Sequence, residues 1–245
     1  MSAVITYLDL AMDTLRRIRD TQVRSIEAGA ELMARAIAGG GVVHVFGAGH
    51  SHTMAEEMFA RAGGLVPVSP ILDADMTALG GFMKSSDLER LEGFGQILFR
   101  HHETRPGEVV IVVSQSGRNP APIEVALGAR ERGLKVIGIT SLAHSRAVAP
   151  AHSSGKRLYE ISDVVIDNGV PYGDAAVELR EGAPRVAPLS TVACAAICNS
   201  LVAEAASRLA SLGIVPPVWT SGNVPGGPEA NEAHVAQYRR RWGSI

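Results

Sequence analysis

The sequence predicts an α/β fold, namely a single doubly wound domain with a parallel five-stranded sheet in three αβα layers. Short runs of Val and Ile, which suit strands buried on both faces, alternate with longer segments of helical period. Three of these runs end in glycine or hydroxyl residues just before a helix. With 245 residues, 46% of them hydrophobic, the chain can bury one sizeable core.

The first element is a long N-terminal helix. Apolar residues recur with helical period between Val4 and Ile37, and Gly39-Gly40-Gly41 ends the run. The pattern fits one helix or two abutting ones, and it does not say whether they cover their own sheet or a neighbouring subunit. Because this helix and the apolar helix near residue 200 exceed what one sheet needs, we expect a homodimer or a higher assembly.

The first strand, residues 42–46, leads into the glycine-rich segment Gly47-Ala-Gly-His-Ser51. Gly47 and Gly49 permit close backbone approach, and the Ser51 hydroxyl can join helix-start N–H groups in holding an anion. Gly49, His50 and Ser51 are therefore candidate binding residues. A dinucleotide site is the alternative, but the third glycine of its motif is missing.

The second strand is predicted at residues 65–69, near a sheet edge because it contains Pro67. The polar stretch 70–86 is longer than a simple connector, and such loops are often functional. Helical spacing resumes over residues 87–100, with Asp87 as the cap.

The central strand, residues 109–113, ends in hydroxyl residues, glycine and a helix start. Asn119 occupies an N-cap position and Pro120 the first helical position. Hydroxyls, free N–H groups and the positive end of a helix dipole together suit a phosphate, although an ordinary strand-to-helix turn has similar residues. The candidate phosphate-binding residues are Ser114, Gln115, Ser116, Gly117, Arg118 and Asn119.

A third hydroxyl-terminated strand at residues 134–141 adds Thr140 and Ser141 to the candidates. In parallel sheets, ligands bind beyond the carboxyl ends of the strands, where all three loops should meet. The later predicted elements are a fifth strand at 161–167, a short strand at 175–179, a helix at 189–212 and a helix at 229–242. We divide the chain into a helical segment (1–38), the α/β domain (39–213) and a tail (214–245).

The composition excludes several classes of protein. A net charge of −2 gives no general attraction for nucleic acid or an anionic membrane. We find neither a signal peptide nor a membrane span. Cys194 and Cys198 lie on one helical face and are expected to pack as reduced thiols, as in the cytoplasm. We expect no cofactor and no metal, because His50 and His52 lack a nearby cluster of ligands.

The loops at Gly47–Ser51 and Ser114–Pro120, supported by Thr140 and Ser141, resemble those of the sugar isomerase (SIS) domain, which binds phosphosugars. The tail from Trp219 resembles that of a small group of stand-alone SIS proteins. The resemblance implies that Ser114 and Ser116 hold the sugar phosphate and that Ser51 lies near the sugar. Asn119 stands where the family usually has Ser or Thr.

The segment Ser116-Gly-Arg-Asn-Pro120 is also similar to a loop of the N-acetylmuramic acid 6-phosphate etherases. In those enzymes a Glu before glycine is catalytic, and Glu92 matches it. The position of their second carboxylate is occupied by Arg61, and Glu56 and Glu57 lie at least one turn earlier. The resemblance implies Glu92 with Glu56 or Glu57 as the catalytic acids. The His that phosphoheptose isomerases use on the last helix is absent.

Both aldose–ketose isomerisation and β-elimination from an amino sugar begin with removal of the C2 proton by a base. The similarity of residues 116–120 and of Glu92-Gly93 to the etherases implies a dehydratase or lyase acting on an N-acetylated amino-sugar 6-phosphate, such as N-acetylglucosamine 6-phosphate. The alternatives are a phosphosugar isomerase and a sensor that binds phosphosugar without turnover.

Overall fold

The computed structural model describes residues 2–242. Five parallel strands form one sheet in the order β2-β1-β3-β4-β5, which confirms the predicted doubly wound α/β fold. The strands are β1 (Val43–Gly47), β2 (Val68–Ile71), β3 (Val109–Val113), β4 (Lys135–Thr140) and β5 (Val164–Asp167). In register, Gly47 of β1 lies beside Val113 of β3. The loops after these two strands therefore leave the sheet side by side.

Helices cover both faces of the sheet. In the described part of the chain, residues 2–242, the nine α-helices are α1 (Ala3–Ala38), α2 (Thr53–Met58), α3 (Phe82–Arg90), α4 (Phe94–Arg100), α5 (Pro120–Glu131), α6 (Leu142–Ala147), α7 (Leu158–Ile161), α8 (Ser190–Ser211) and α9 (Gly227–Tyr238). One core cluster joins α1, α2 and α8 to one face, and a second joins α4, α5 and α7 to the other. Alternate strand residues such as Ile111 and Val112 enter opposite clusters, so the strands are apolar on both faces.

The N-terminal segment is one uninterrupted helix, α1, of 36 residues. At 1.5 Å per residue it is about 54 Å long. Its second half is buried against the sheet and α8, with Ala30 and Met33 inaccessible. Its first half leaves Val4, Ile5 and Leu8 more than half exposed.

Strand β2 begins three residues later than predicted. Leu65 forms an isolated antiparallel bridge with Val218, and the Val66 N–H donates to the Pro217 carbonyl at 2.8 Å. The apolar residues that suggested a strand therefore pair with the tail. The prediction of an edge position is confirmed, since β2 lies at the edge of the sheet and tolerates Pro70.

The single helix predicted over residues 87–100 is wrong, because the structure divides it into α3 and α4 at a left-handed Gly93 (φ 93°). The buried carboxylate of Glu124 on α5 accepts the N–H of Gly93, and it accepts that of Gln96 at 3.2 Å. These are the unpaired donors at the start of α4. A partner 28 residues away in sequence thus stabilises the break.

The stretch after β5 is irregular, as expected. The short strand predicted at 175–179 is confirmed as β6 (Ala175–Val177), which pairs antiparallel with β7 (Val186–Pro188). Within residues 2–242 one helix, α8, is long and apolar enough to pass for a membrane span by length and composition. It packs along α1 in the core, which accounts for that composition. Its two cysteines are buried and free.

The tail closes over a buried polar network at the amino ends of the strands. Its centre is Glu108, whose carboxylate accepts from His44 Nε2 at 2.9 Å and from Arg241 Nη2 at 2.6 Å. His44 Nδ1 in turn lies 3.0 Å from His102 Nε2, which lies 3.2 Å from Ser69 Oγ. A continuous chain of hydrogen bonds therefore links three segments of the domain to the tail.

Two groups of this network have displaced pKa values. Burial would raise the pKa of Glu108, but hydrogen bonds from His44 and Arg241 lower it to about 2. Burial, together with the neighbouring His44, lowers the pKa of His102 to about 3. At neutral pH the network thus contains an ionised Glu108 and an uncharged His102.

Candidate functional site

A cavity of about 250 Å³ lies beyond the carboxyl ends of β1 and β3. This is the position at which parallel α/β sheets bind ligands. Its walls come from the loops after these two strands, from α3 and α6, and from the start of α8. The lining residues are Ala48, Gly49, His50, Ser51, Thr53, Met54, Glu89, Val113, Ser114, Gln115, Ser116, His144, Asp174, Ser190, Thr191 and Cys194.

The loop after β1 turns directly into a short 3₁₀ segment, Gly49–His52, before α2. A side chain on Gly47 would collide with the Ser51 backbone, and Gly49 has a positive φ of 54°. Both positions therefore favour glycine. The turn places Ser51 in the cavity wall and exposed His50 at its rim, as the sequence predicted for candidate binding residues.

The loop after β3 forms the opposite wall. Ser114 Oγ accepts the Gly117 N–H at 3.2 Å, which holds the loop in a tight turn. A Cβ atom on Gly117 would lie 2.9 Å from the hydroxyls of both Thr140 and Ser145, and its φ is +59°. Only glycine fits there without strain. The turn presents Ser114 and Ser116 to the cavity at the N-terminus of α5.

Gln115 has a fixed amide with one free donor. Its Oε1 accepts from Asn168 Nδ2 at 2.7 Å, which fixes the orientation of the amide. Its buried Nε2 has no hydrogen-bond partner within residues 2–242. A buried donor without an acceptor is costly, so a ligand acceptor at this point would stabilise the site.

Thr140 and Ser141 lie behind the loop rather than in the cavity wall. Thr140 Oγ1 donates to the Gln115 carbonyl at 3.3 Å, and Ser141 Oγ donates to the Val170 carbonyl at 2.6 Å. Both residues are fully buried. Their hydroxyls are therefore already used in holding the neighbouring loops.

Arg118 and Asn119 complete the loop without lining the cavity. The Arg118 carbonyl accepts the Ala151 N–H at 3.2 Å. Asn119 occupies the N-cap position of α5 as predicted, but its side chain makes no capping bond. It donates instead through Nδ2 to Glu89 Oε1 at 2.9 Å, and this bond connects α3 to the loop after β3.

The three carboxylates suggested by the family resemblance lie outside the cavity wall. Glu57 pairs with Arg61 and accepts from Asn199 Nδ2 at 2.8 Å, and the exposed Glu56 lies 3.5 Å from His52 Nε2. Glu92 is exposed and accepts the Ser153 N–H at 2.7 Å, and its hydrogen bonds with Ser153 lower its pKa. Their catalytic roles remain predictions.

Sequence reasoning missed several ionisable residues of the wall. Glu89 lies three residues before Glu92, in the segment predicted only as a helix, and His144 follows the third hydroxyl-rich loop. Asp174 was hidden in an irregular stretch. Its carboxylate caps α8 by accepting the Leu189 N–H at 3.1 Å, the Ser190 N–H at 2.9 Å and the Ser190 hydroxyl at 2.6 Å.

Two ionisable side chains of the cavity wall, His144 and Cys194, have pKa values displaced toward the uncharged form. Burial lowers the pKa of His144, the nearby Asp174 carboxylate opposes this, and the Arg118 guanidinium lowers it further. Burial raises the pKa of the Cys194 thiol to about 11. The His144 ring packs on Tyr172 with centroids 4.7 Å apart. Within residues 2–242, no three His, Cys, Asp or Glu side chains are grouped so that they could hold a metal ion.

Comparison with known proteins places this architecture in a family. Residues 6–141, more than half of the chain, match the SIS domain. A UPF0309 protein of Thermoanaerobacter pseudethanolicus is 41% identical over 242 residues, which cover 97% of this chain and 98% of that protein. A UPF0309 protein of Geobacillus kaustophilus is 42% identical over 235 residues, which cover 96% and 94% of the two chains.

Solved structures show the same fold at low sequence identity. The phosphoheptose isomerase of Neisseria gonorrhoeae is 20% identical with a TM-score of 0.53, over 81% of this chain and 96% of that one. A putative phosphosugar isomerase of Bacteroides fragilis is 19% identical with a TM-score of 0.51, over 85% and 92% of the two chains. The chain therefore belongs to the SIS domain family and, by its identity to whole relatives, to the UPF0309 proteins within it.

Proposed function

We propose that this protein is a phosphosugar-binding enzyme whose cavity holds the phosphate on the loop between β3 and α5. The observation that carries the proposal is the turn at Ser114 to Gly117, which presents two hydroxyls at the N-terminus of a 12-residue helix. Hydroxyls and helix-start N–H groups stabilise a phosphate dianion without any side-chain cation. The free Nε2 of Gln115 supplies a further donor.

The proposed reaction class rests on the family resemblance. We infer a dehydratase or lyase that removes the C2 proton of an N-acetylated amino-sugar 6-phosphate and then expels the group on C3. The similarity of residues 116–120 and of Glu92-Gly93 to the etherases supports this inference.

Aldose–ketose isomerisation is the second candidate reaction. Two proteins with this fold are a phosphoheptose isomerase and a putative phosphosugar isomerase, which supports this candidate. The two reactions share the first proton transfer and differ in where the next proton goes. A sensor without turnover is the remaining alternative.

The test is incubation of the purified protein with N-acetylglucosamine 6-phosphate, followed by mass and ultraviolet absorbance. Loss of one water with a new conjugated chromophore supports the lyase. Glucose 6-phosphate, whose C2 carries a hydroxyl, is incubated in parallel, and its conversion to a ketose of equal mass supports the isomerase. A raised melting temperature without conversion of any phosphosugar tried supports the sensor and refutes the enzyme.

A matched pair of variants tests the phosphate loop. Ser116→Ala removes a hydroxyl from the cavity wall, and Ser211→Ala removes one at the exposed end of α8. A hydrogen bond to a charged group contributes about 1.5–3 kcal/mol, so Ser116→Ala should weaken phosphosugar binding by about tenfold or more. Equal affinity of the two variants, measured by calorimetry, would contradict the assignment of this loop.

We also propose that the protein is a cytoplasmic homodimer joined along α1. Val4, Ile5 and Leu8 are exposed on the first half of this helix, and a groove of about 580 Å³ with an apolar lining follows between α1 and α8. An apolar helix face of this length is typical of a protein interface. Free buried thiols are consistent with a reducing compartment.

A further inference from the structure

The cavity wall contains five ionisable side chains within residues 2–242, and most of them are poor candidates for the proton-transfer step. They are His50, Glu89, His144, Asp174 and Cys194. Asp174 uses both oxygens to cap α8. The Cys194 thiol is buried and protonated at neutral pH because its pKa is raised to about 11. His50 is exposed at the rim.

The two remaining groups have complementary properties. Glu89 is a half-buried carboxylate, and Asn119 Nδ2 donates to one of its oxygens at 2.9 Å. This bond fixes the carboxylate beside the phosphate loop. No other protein hydrogen bond to Glu89 is found among the described residues, so its second oxygen remains open to a substrate proton. A carboxylate held by one oxygen and free at the other is suited to act as a base.

His144 is held in place by packing rather than by hydrogen bonds. Its ring lies against Tyr172, and its buried Nδ1 has no partner within residues 2–242. The groups that act on its charge are the Arg118 guanidinium and the Asp174 carboxylate, together with burial. The net effect lowers its pKa, so the imidazole is neutral at pH 7. A neutral imidazole can donate an N–H hydrogen bond to a carbonyl oxygen that is gaining negative charge.

We propose that Glu89 is the catalytic base that removes the C2 proton and that neutral His144 hydrogen-bonds the C1 carbonyl oxygen of the open-chain sugar. This inference rests on the proposed phosphosugar function. The C2–H bond breaks and its proton passes to the free oxygen of Glu89. The electron pair forms the C1–C2 double bond, and the carbonyl electrons move to O1, where His144 stabilises the enolate oxygen. The step needs no co-reactant and is common to isomerisation and elimination.

The role assigned to Glu89 differs from that implied by the etherase resemblance, which points to Glu92. Glu92 is exposed and bound to Ser153 N–H, whereas Glu89 is in the cavity wall and is joined to the phosphate loop through Asn119. Asn119 is also where the family usually has Ser or Thr. The amide side chain of Asn119 is longer than that of Ser or Thr, and it is this amide that reaches the Glu89 carboxylate. The unusual residue at position 119 and the placement of Glu89 are therefore linked.

The test is exchange of the C2 proton for deuterium in heavy water, followed by NMR on N-acetylglucosamine 6-phosphate and glucose 6-phosphate. Exchange reports the first step alone, whichever product follows. Glu89→Gln keeps an acceptor for Asn119 but cannot take a proton, so we expect exchange to fall about 10²- to 10⁴-fold while the phosphosugar still raises the melting temperature. Glu131→Gln, at an exposed carboxylate at the end of α5, is the matched control and should retain exchange, whereas Glu92→Gln tests the rival assignment of the base.

His144 is tested by its pH dependence. Wild-type exchange should fall on acidification through a pKa below the ordinary value of about 6.5, as His144 gains a proton. His144→Gln, which retains an N–H donor, should keep more activity than His144→Ala. We expect His144→Ala to lose about 10²- to 10³-fold in rate at pH 7. Equal rates for the two variants and wild type would refute the role of His144.

The outcomes separate this inference from the proposed function. Wild-type exchange that survives in Glu89→Gln but disappears in Glu92→Gln would overturn the inference and leave the phosphosugar enzyme standing. Wild-type binding without exchange for either probe would overturn the inference and favour the sensor. Wild-type protein that neither binds nor exchanges either probe would refute the proposed function itself.

Discussion

The buried His102 makes a measurable prediction about acid stability. Its imidazole hydrogen-bonds His44 Nδ1 at 3.0 Å, and its pKa is about 3 in the folded protein against 6.5 for an ordinary histidine. Between these two values the unfolded chain binds a proton that the folded protein does not. The contribution of His102 to the free energy of unfolding is therefore complete above about pH 6.5 and is lost as the pH falls toward 3.

The size of the effect follows from the two pKa values. Each unit of difference corresponds to about 1.36 kcal/mol, so acidification from pH 7 to pH 5 should cost about 2 kcal/mol through His102 alone. Glu108 acts in a lower window. Its pKa of about 2 against 4.5 means that its contribution is present above about pH 4.5 and is lost below it. The interval from pH 5 to pH 7 therefore separates His102 from Glu108, and comparison with a His102 variant removes the contribution of His144, whose pKa is also lowered.

The assay is urea unfolding at fixed protein concentration, followed by fluorescence of the tail tryptophans Trp219 and Trp242, at pH 7, 6 and 5. The matched variant is His102→Gln, which keeps a polar side chain at the position. Its loss of stability between pH 7 and pH 5 should be about 2 kcal/mol smaller than that of wild type, whatever its stability at pH 7. Equal losses in the two proteins would refute the assignment of a neutral, buried His102.

Three further predictions concern packing and assembly. Arg241→Met should lower the free energy of unfolding by about 3–5 kcal/mol, because it leaves the Glu108 carboxylate buried without its guanidinium, and adding Glu108→Gln should restore part of that loss in urea titrations. Gly95→Ala should destabilise by about 1–3 kcal/mol because its Cβ would lie 2.5 Å from the Ala121 carbonyl oxygen, whereas Gly222→Ala, which meets nothing within 4 Å, should leave the melting temperature nearly unchanged. Leu8→Glu, on the exposed face of α1, should shift the mass measured by light scattering from dimer toward monomer, and an unchanged mass would contradict the proposed interface.

The strands and their loops could be predicted because their signals are local. The Val and Ile run of β3 needs burial on both faces, and the residues after it have the composition of a tight turn at a helix start. The same local reading placed Ser51, Ser114 and Ser116 at one edge of the sheet, and the parallel register of β1 and β3 brings them to one cavity.

The errors came from partners distant in sequence. Leu65 and Val66 look like a strand, but Val66 N–H pairs with Pro217, a contact that only the folded tail supplies. Residues 87–100 have helical spacing, yet the carboxylate of Glu124 stabilises a break at Gly93. Glu89 was missed for the same reason, since nothing in its neighbourhood along the chain shows that Asn119 will reach it.

The link between Glu108 and Arg241 also has a consequence for synthesis on the ribosome. The two residues are 133 positions apart, so translation completes the whole sheet before the guanidinium that neutralises the carboxylate has been made. Until then the buried Glu108 carboxylate would have its hydrogen bond from His44 but no cation beside it, which is unfavourable. The nascent domain should therefore keep the amino end of its sheet open or hold Glu108 protonated, and it should reach full protease resistance only after Arg241 leaves the exit tunnel.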